Sequence, residues 1–110
     1  MLTKDELPDC PVATTLRLIG NKWKIFVIQR LLVRPYGFGE LRRSIDGISE
    51  KVLADNLKQL AADGIVTRTV IPDTPPRTEY ALSETGESMR PIIDSMAAWG
   101  SAYQEQVRSA

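Results

Sequence analysis

Histidine is absent from this 110-residue sequence, and cysteine occurs once, at Cys10. The first absence removes His-based catalytic triads and the commonest general base. It also removes imidazole metal ligands, and a structural zinc site needs several Cys or His together. A single cysteine excludes an intrachain disulfide. No apolar run approaches the ~18 residues of a membrane span. Ile25-Phe26-Val27-Ile28 is among the longest, and charges lie on both sides of it. The stretch Met1–Asp9 is polar and acidic, unlike a secretory signal, so the expected compartment is the cytoplasm and no membrane partner is expected. There is no Gly-rich phosphate loop and no nucleophile beside a base. Neither an enzyme nor a cofactor is expected.

Net charge is also missing: 14 basic residues balance 14 acidic ones. The balance is uneven along the chain. Lys22 to Arg77 holds ten basic and six acidic residues, a local charge of +4 between acidic flanks. An electropositive middle can steer a polyanion, although a mixed solvated surface would look the same. What remains is ordinary: 43% hydrophobic and 25% charged residues, the composition of one globular domain.

The apolar spacing divides the chain into four helices, two strands and a last helix. Asp9-Cys10-Pro11 starts the first helix, with Pro at the favoured first position, and Gly20-Asn21 closes it. Lys22 to Arg34 reads as a second helix, apolar on nearly all sides and so destined for the core; Pro35 stops it. Phe38, Leu41 and Ile45 mark a short third helix with Arg42 and Arg43 facing out. Asp46-Gly47 is a turn signal, and Ser49 is a good N-cap. The fourth helix runs to about Asp63, with Val52, Leu53, Leu57 and Leu60 as its buried stripe. Asn56 falls towards that buried side, packed and hydrogen-bonded. Ile65 to Ile71 and Thr78 to Leu82 are strands, joined by a proline-rich tip into a hairpin. Ser83 opens the last helix, and Pro91 should kink or restart it.

Two short helices joined by Asp46-Gly47-Ile48 fit a helix-turn-helix. The second has its N-terminus capped by Ser49, and its outer face offers Lys51, Asp55 and Lys58. A helix of this width fits the DNA major groove. The stiff hairpin with Arg77 at its base has the shape of a wing, from which an arginine can track the backbone or enter the minor groove. Glu50 and Asp55 count the other way, since carboxylates repel phosphates. The rival is therefore a winged-helix protein-interaction or dimerisation module that does not bind DNA.

The sequence resembles the HxlR family of winged-helix regulators, relatives of MarR. The resemblance rests on Cys10-Pro11-Val12, Ile19-Gly20-Asn21-Lys22-Trp23-Lys24, Phe38-Gly39-Glu40-Leu41-Arg42-Arg43 and Gly47-Ile48-Ser49. It continues through Asp63-Gly64-Ile65-Val66, Pro75-Pro76-Arg77, Glu79-Tyr80-Ala81-Leu82, Thr85-Gly86 and Trp99-Gly100. It departs at Arg34, where the family usually has Gly, and at Gly37 and Gly39, where polar side chains are usual. The resemblance implies an α+β, mostly α winged helix-turn-helix spanning 1–110. Residues 38–63 would form the helix-turn-helix and 65–82 a two-stranded wing. Helices over 9–21 and 84–108 would build a homodimer. It places Ser49, Lys51, Asp55 and Lys58 against the major groove. Arg42, Arg43 and Arg77 become phosphate or minor-groove contacts on double-stranded DNA.

The dimer also follows from the residues. Leu16 and Ile19 at one end, and Ile92, Ile93, Met96, Trp99 and Tyr103 at the other, are large apolar side chains on terminal helices outside a complete small core. Packing within one subunit is the alternative. A two-fold pair would set two reading helices about 34 Å apart and read a pseudo-palindrome. Cys10 stands at a helix N-terminus, a position that favours reactive thiolate. Some proteins resembling this chain sense quinones, aldehydes or disulfide stress through this cysteine, which implies a small-molecule or electrophile effector. A buried inert thiol is the alternative.

Overall fold

The architecture follows from where each apolar stripe finds cover. The computed structural model describes all residues, Met1–Ala110. After a 3-10 turn at Lys4–Glu6 come α1 (Pro11–Ile19), α2 (Lys22–Leu31), β1 (Tyr36–Gly37), α3 (Phe38–Ser44) and α4 (Glu50–Ala62). The hairpin β2 (Val66–Ile71) and β3 (Arg77–Leu82) follows, then α5 (Glu84–Glu87) and α6 (Arg90–Ser109).

Side chains set most of the boundaries. Asn21, expected to close α1, instead caps α2: its Oδ1 accepts from the backbone N–H of Lys24 at 3.0 Å. Ser49 caps α4 by accepting from Val52 N–H at 3.1 Å. Gly47 in the inter-helix turn has φ +79°, a left-handed backbone that favours glycine. Arg30 of α2 donates to the Ser44 carbonyl at 2.9 Å, satisfying an open acceptor at the end of α3. Ser83 does two jobs. Its hydroxyl donates to the Gly64 carbonyl at 2.5 Å and accepts from Gly86 N–H at 3.0 Å, fastening α5 to the start of the hairpin.

The core gathers Val27, Ile28 and Leu31 of α2, Leu41 of α3, Leu53, Leu57 and Leu60 of α4, and Ile65, Val66 and Tyr80 of the hairpin. Asn56 is buried among the leucines of α4 and donates to the Val52 carbonyl at 2.7 Å.

Three further sequence expectations need correction. The sheet has three strands, in order β1-β3-β2, because Tyr36 and Gly37 pair with Tyr80 and Glu79. Helix α2 ends at Leu31, short of Arg34, so Val33 lies beyond it and is exposed, and the helix's own apolar surface is not wholly covered, since Phe26 is exposed. The restart expected at Pro91 is present: the last helical stretch is two helices, with Pro91 in the first turn of α6. Ile19 and Ile93 lie in the chain's own core, 4% and 5% exposed, so neither has appreciable surface left for a partner.

The molecule is elongated, 55 × 38 × 23 Å, because α6 runs away from the core. Of its 20 residues only Ile93 is buried. Ile92, Met96, Trp99, Tyr103 and Val107 are exposed along it, with Val12 and Leu16 on α1. Trp99 and Tyr103 stack on each other at 5.5 Å. No helix is long and apolar enough to cross a membrane.

Candidate nucleic-acid interface

Three elements present one exposed face: α3, α4 and the β2–β3 hairpin. Helix α4 turns Leu53, Asn56, Leu57 and Leu60 inward. That leaves Lys51, Asp55 and Lys58 on the opposite, solvent-facing side, as the helical period requires. No segment of the chain covers them. Ser49, at the head of α4, is exposed although its hydroxyl is engaged as the cap.

The charges on this face are mostly paired. Arg42 of α3 lies 3.6 Å from Glu50 of α4, bridging the two helices of the helix-turn-helix. Lys51 lies 2.9 Å from Asp55. The hydrogen bond from Lys51 holds the Asp55 carboxyl below the usual aspartate range, and the same bond raises the Lys51 ammonium. Arg77 lies 3.3 Å from Asp73 in the wing tip, and Arg34 lies 3.3 Å from Glu40. The backbone N–H of Gly37, then Arg34 and Arg43, hold Glu40 below the usual glutamate range. Glu50 and Asp55, which argued against DNA in the sequence, are thus each beside a cation.

Arg43 makes no ion pair. A Cβ on Gly39 would stand 3.2 Å from its Nη1, so the missing side chain at Gly39 gives the guanidinium its place. Arg43 and Arg77 line a cleft of about 460 Å³ between the head of α3 and the wing base. A second cleft, about 380 Å³, lies between α4 and β2 and carries Lys58 and Arg68. Arg68 did not emerge from the sequence. The signal was the strand period: Arg68, two residues after buried Val66, shares its sheet face, and its partner across the register is buried Tyr80.

Cys10 caps the head of α1 without a side-chain hydrogen bond and is an exposed free thiol. It stands on a different element from the face just described. No group of three or more Asp, Glu or Cys side chains converges to hold a metal ion.

Helix-turn-helix, the capped helix α4 and the hairpin thus stand in one chain, and the sequence profile of the HxlR-like helix-turn-helix proteins matches residues 18–108. The chain belongs to the HxlR-like helix-turn-helix family. It is similar to YdeP of Bacillus subtilis, an uncharacterized HTH-type transcriptional regulator, at 35% identity over 105 residues. That match covers 96% of this chain and 82% of YdeP. Among solved structures it is similar to the redox regulator HypR in its reduced form, with a TM-score of 0.85 at 37% identity. The match covers 92% of this chain and all of that one. The reduced form of the transcriptional regulator YodB from B. subtilis superposes with a TM-score of 0.74 at 35% identity. It covers 84% of this chain and 91% of that one. These relatives are transcriptional regulators, not enzymes, and this HxlR-like chain shares their winged helix-turn-helix fold.

Proposed function

We propose that this HxlR-like protein is a sequence-specific DNA-binding regulator that acts as a homodimer on a pseudo-palindromic operator. The observation that carries the reading is the outer face of α4. It is capped at Ser49, open to solvent along Lys51, Asp55 and Lys58, tied to α3 by the Arg42–Glu50 pair and bordered by the hairpin at the cleft with Arg68. Helix α4 enters the major groove, where Lys51 and Asp55 face base edges. Arg42, Arg43 and Arg77 follow the phosphates on either side. The whole of 1–110 serves as one unit, with α1 and α6 as the dimer helices. Support for the dimer comes from α6. A long helix with one buried residue gains little from its own chain, and helix stability comes mainly from packing an amphipathic face.

Binding that weakens steeply with salt on duplexes from upstream of the gene and its neighbours tests this reading, because phosphate contacts release counterions. Absent or salt-insensitive binding favours the second reading, a protein-interaction module. The ion pairs Arg42–Glu50 and Lys51–Asp55 speak for that alternative, since they neutralise part of the face.

HypR is named a redox regulator, and exposed Cys10 supports a thiol-responsive input here through an electrophile or other small-molecule effector. With one cysteine per chain, the switch needs alkylation, a mixed disulfide or a bridge between subunits. Alkylating Cys10 and remeasuring DNA affinity decides it; unchanged affinity removes the thiol input.

A further inference from the structure

The cations around α4 fall into two classes. Arg34, Arg42, Lys51 and Arg77 each have a carboxylate within 4 Å. Arg43, Lys58 and Arg68 make no ion pair, and the last two line the same cleft from two different elements. Lys58 lies two turns beyond Lys51 on the same side of α4, so the cleft opens beside the proposed reading face. Its floor is apolar: Ala54, Leu57 and Ala61 of α4, with Tyr80 of β3. The two alanines keep it open, because longer side chains there would fill the space between helix and strand.

Two like charges over an apolar floor call for an anion. A low-dielectric floor strengthens each charge's pull on one. The complementary ligand carries negative charge at one end and a compact apolar body at the other. A deoxyribose-phosphate unit has that shape. A cation already paired must surrender a carboxylate before it takes a phosphate, and Lys58 and Arg68 have none in an ion pair to surrender. We propose that this cleft is a DNA backbone site in which Lys58 and Arg68 clamp one phosphate while the adjoining sugar rests against Ala54 and Ala61. The inference rests on the DNA-binding reading above and adds Arg68 to the residues that perform it. The clamp fixes how far α4 slides along the groove, and it supplies more of the salt dependence than the paired cations do.

The test measures wild type, Arg68→Ala, Lys58→Ala and Arg68→Lys on a 30-bp duplex from upstream of the gene and on an unrelated duplex, across a salt series. Loss of one phosphate contact makes the slope of log K against log salt shallower by about 0.9. That equals an affinity loss of about eightfold at 0.1 M salt, vanishing towards 1 M. The expected result is this loss for both alanine variants, equal on both duplexes, with Arg68→Lys close to wild type and thermal midpoints unchanged. Wild-type slope and affinity for Arg68→Ala overturn the clamp and leave the DNA-binding reading standing. A loss confined to one duplex also overturns it, since a phosphate contact carries no sequence preference. So does stabilisation of wild type, but not of Arg68→Ala, by inorganic phosphate with the DNA slope unchanged, which assigns the cleft to a small anion. If wild type binds no duplex, the parent reading fails and the clamp with it.

Discussion

The ammonium of Lys51 sits 2.9 Å from the carboxylate of Asp55, one turn further along α4, so two side chains on its outer face neutralise each other. On the proposed DNA-binding reading, the pair sets the balance between holding DNA and choosing among sequences. Asp55→Asn removes a charge that repels phosphate and releases Lys51. Affinity for arbitrary duplexes should rise, and discrimination between operators should fall. Lys51→Ala should alter preference by ~1–3 kcal/mol at the base it contacts. Fluorescence anisotropy on a panel of single-base operator variants reads both. Parallel affinity profiles for wild type and Lys51→Ala contradict base contact.

Acid should destabilise the fold only below the ordinary carboxylate range. Three carboxyls are held low: Glu6 by the backbone N–H of Thr3 and then Arg17, Glu40 by Gly37 N–H, and Asp55 by Lys51. The unfolded chain takes up these protons at higher pH than the folded one. Their stabilisation is therefore complete above the usual carboxylate values and is lost as pH falls through the lowered ones. No histidine is present, so no side chain has an ordinary pKa near neutrality. Thermal midpoints should be flat between about pH 5.5 and 7 and should fall below about pH 4.5. A step near pH 6.5 would reveal a titrating group outside this account.

Gly86 should tolerate no side chain. A Cβ there would lie 2.2 Å from the Ile65 carbonyl oxygen, at the point where α5 meets the hairpin. Since the obstacle is backbone, it cannot rotate away. Gly86→Ala should cost about 1–3 kcal/mol, as overpacking does, and lower the thermal midpoint by several degrees. A midpoint equal to wild type would mean that α5 moves freely against the hairpin.

Trp99→Glu should split the proposed dimer. Trp99 is 71% exposed on the isolated chain, so a buried charge is created only where a second copy covers it. Sedimentation should show half the wild-type mass, and far-UV circular dichroism should lose helix as α6 frays. An unchanged mass would place the dimer surface elsewhere or remove it. Leu16→Glu on α1 gives the matching measurement from the other helix.

Local chemistry made much of this protein readable. Ser49 capped α4 because a serine before an amphipathic run can satisfy its open N–H groups. The prolines marked the hairpin tip and the head of α6 for the same kind of reason: each removes a donor and fixes φ. Asn56 fell inward because helical phase fixes direction. Neighbours distant in sequence decided the rest. β1 is two residues long, too short for any period, and exists because Tyr80 and Glu79 lie beside it. Ile19 and Ile93 have the same character as Leu16 and Ile92, and only packing turned the first two inward and left the second two open. That Arg42 reaches Glu50, and that Arg68 meets Lys58 across a cleft, depends on bringing α4 against α3 and β2. Spacing within one element sets the direction of a side chain and pairs Lys51 with Asp55, but contacts such as Arg42–Glu50 are a matter of distance between elements, and folding alone supplies that distance.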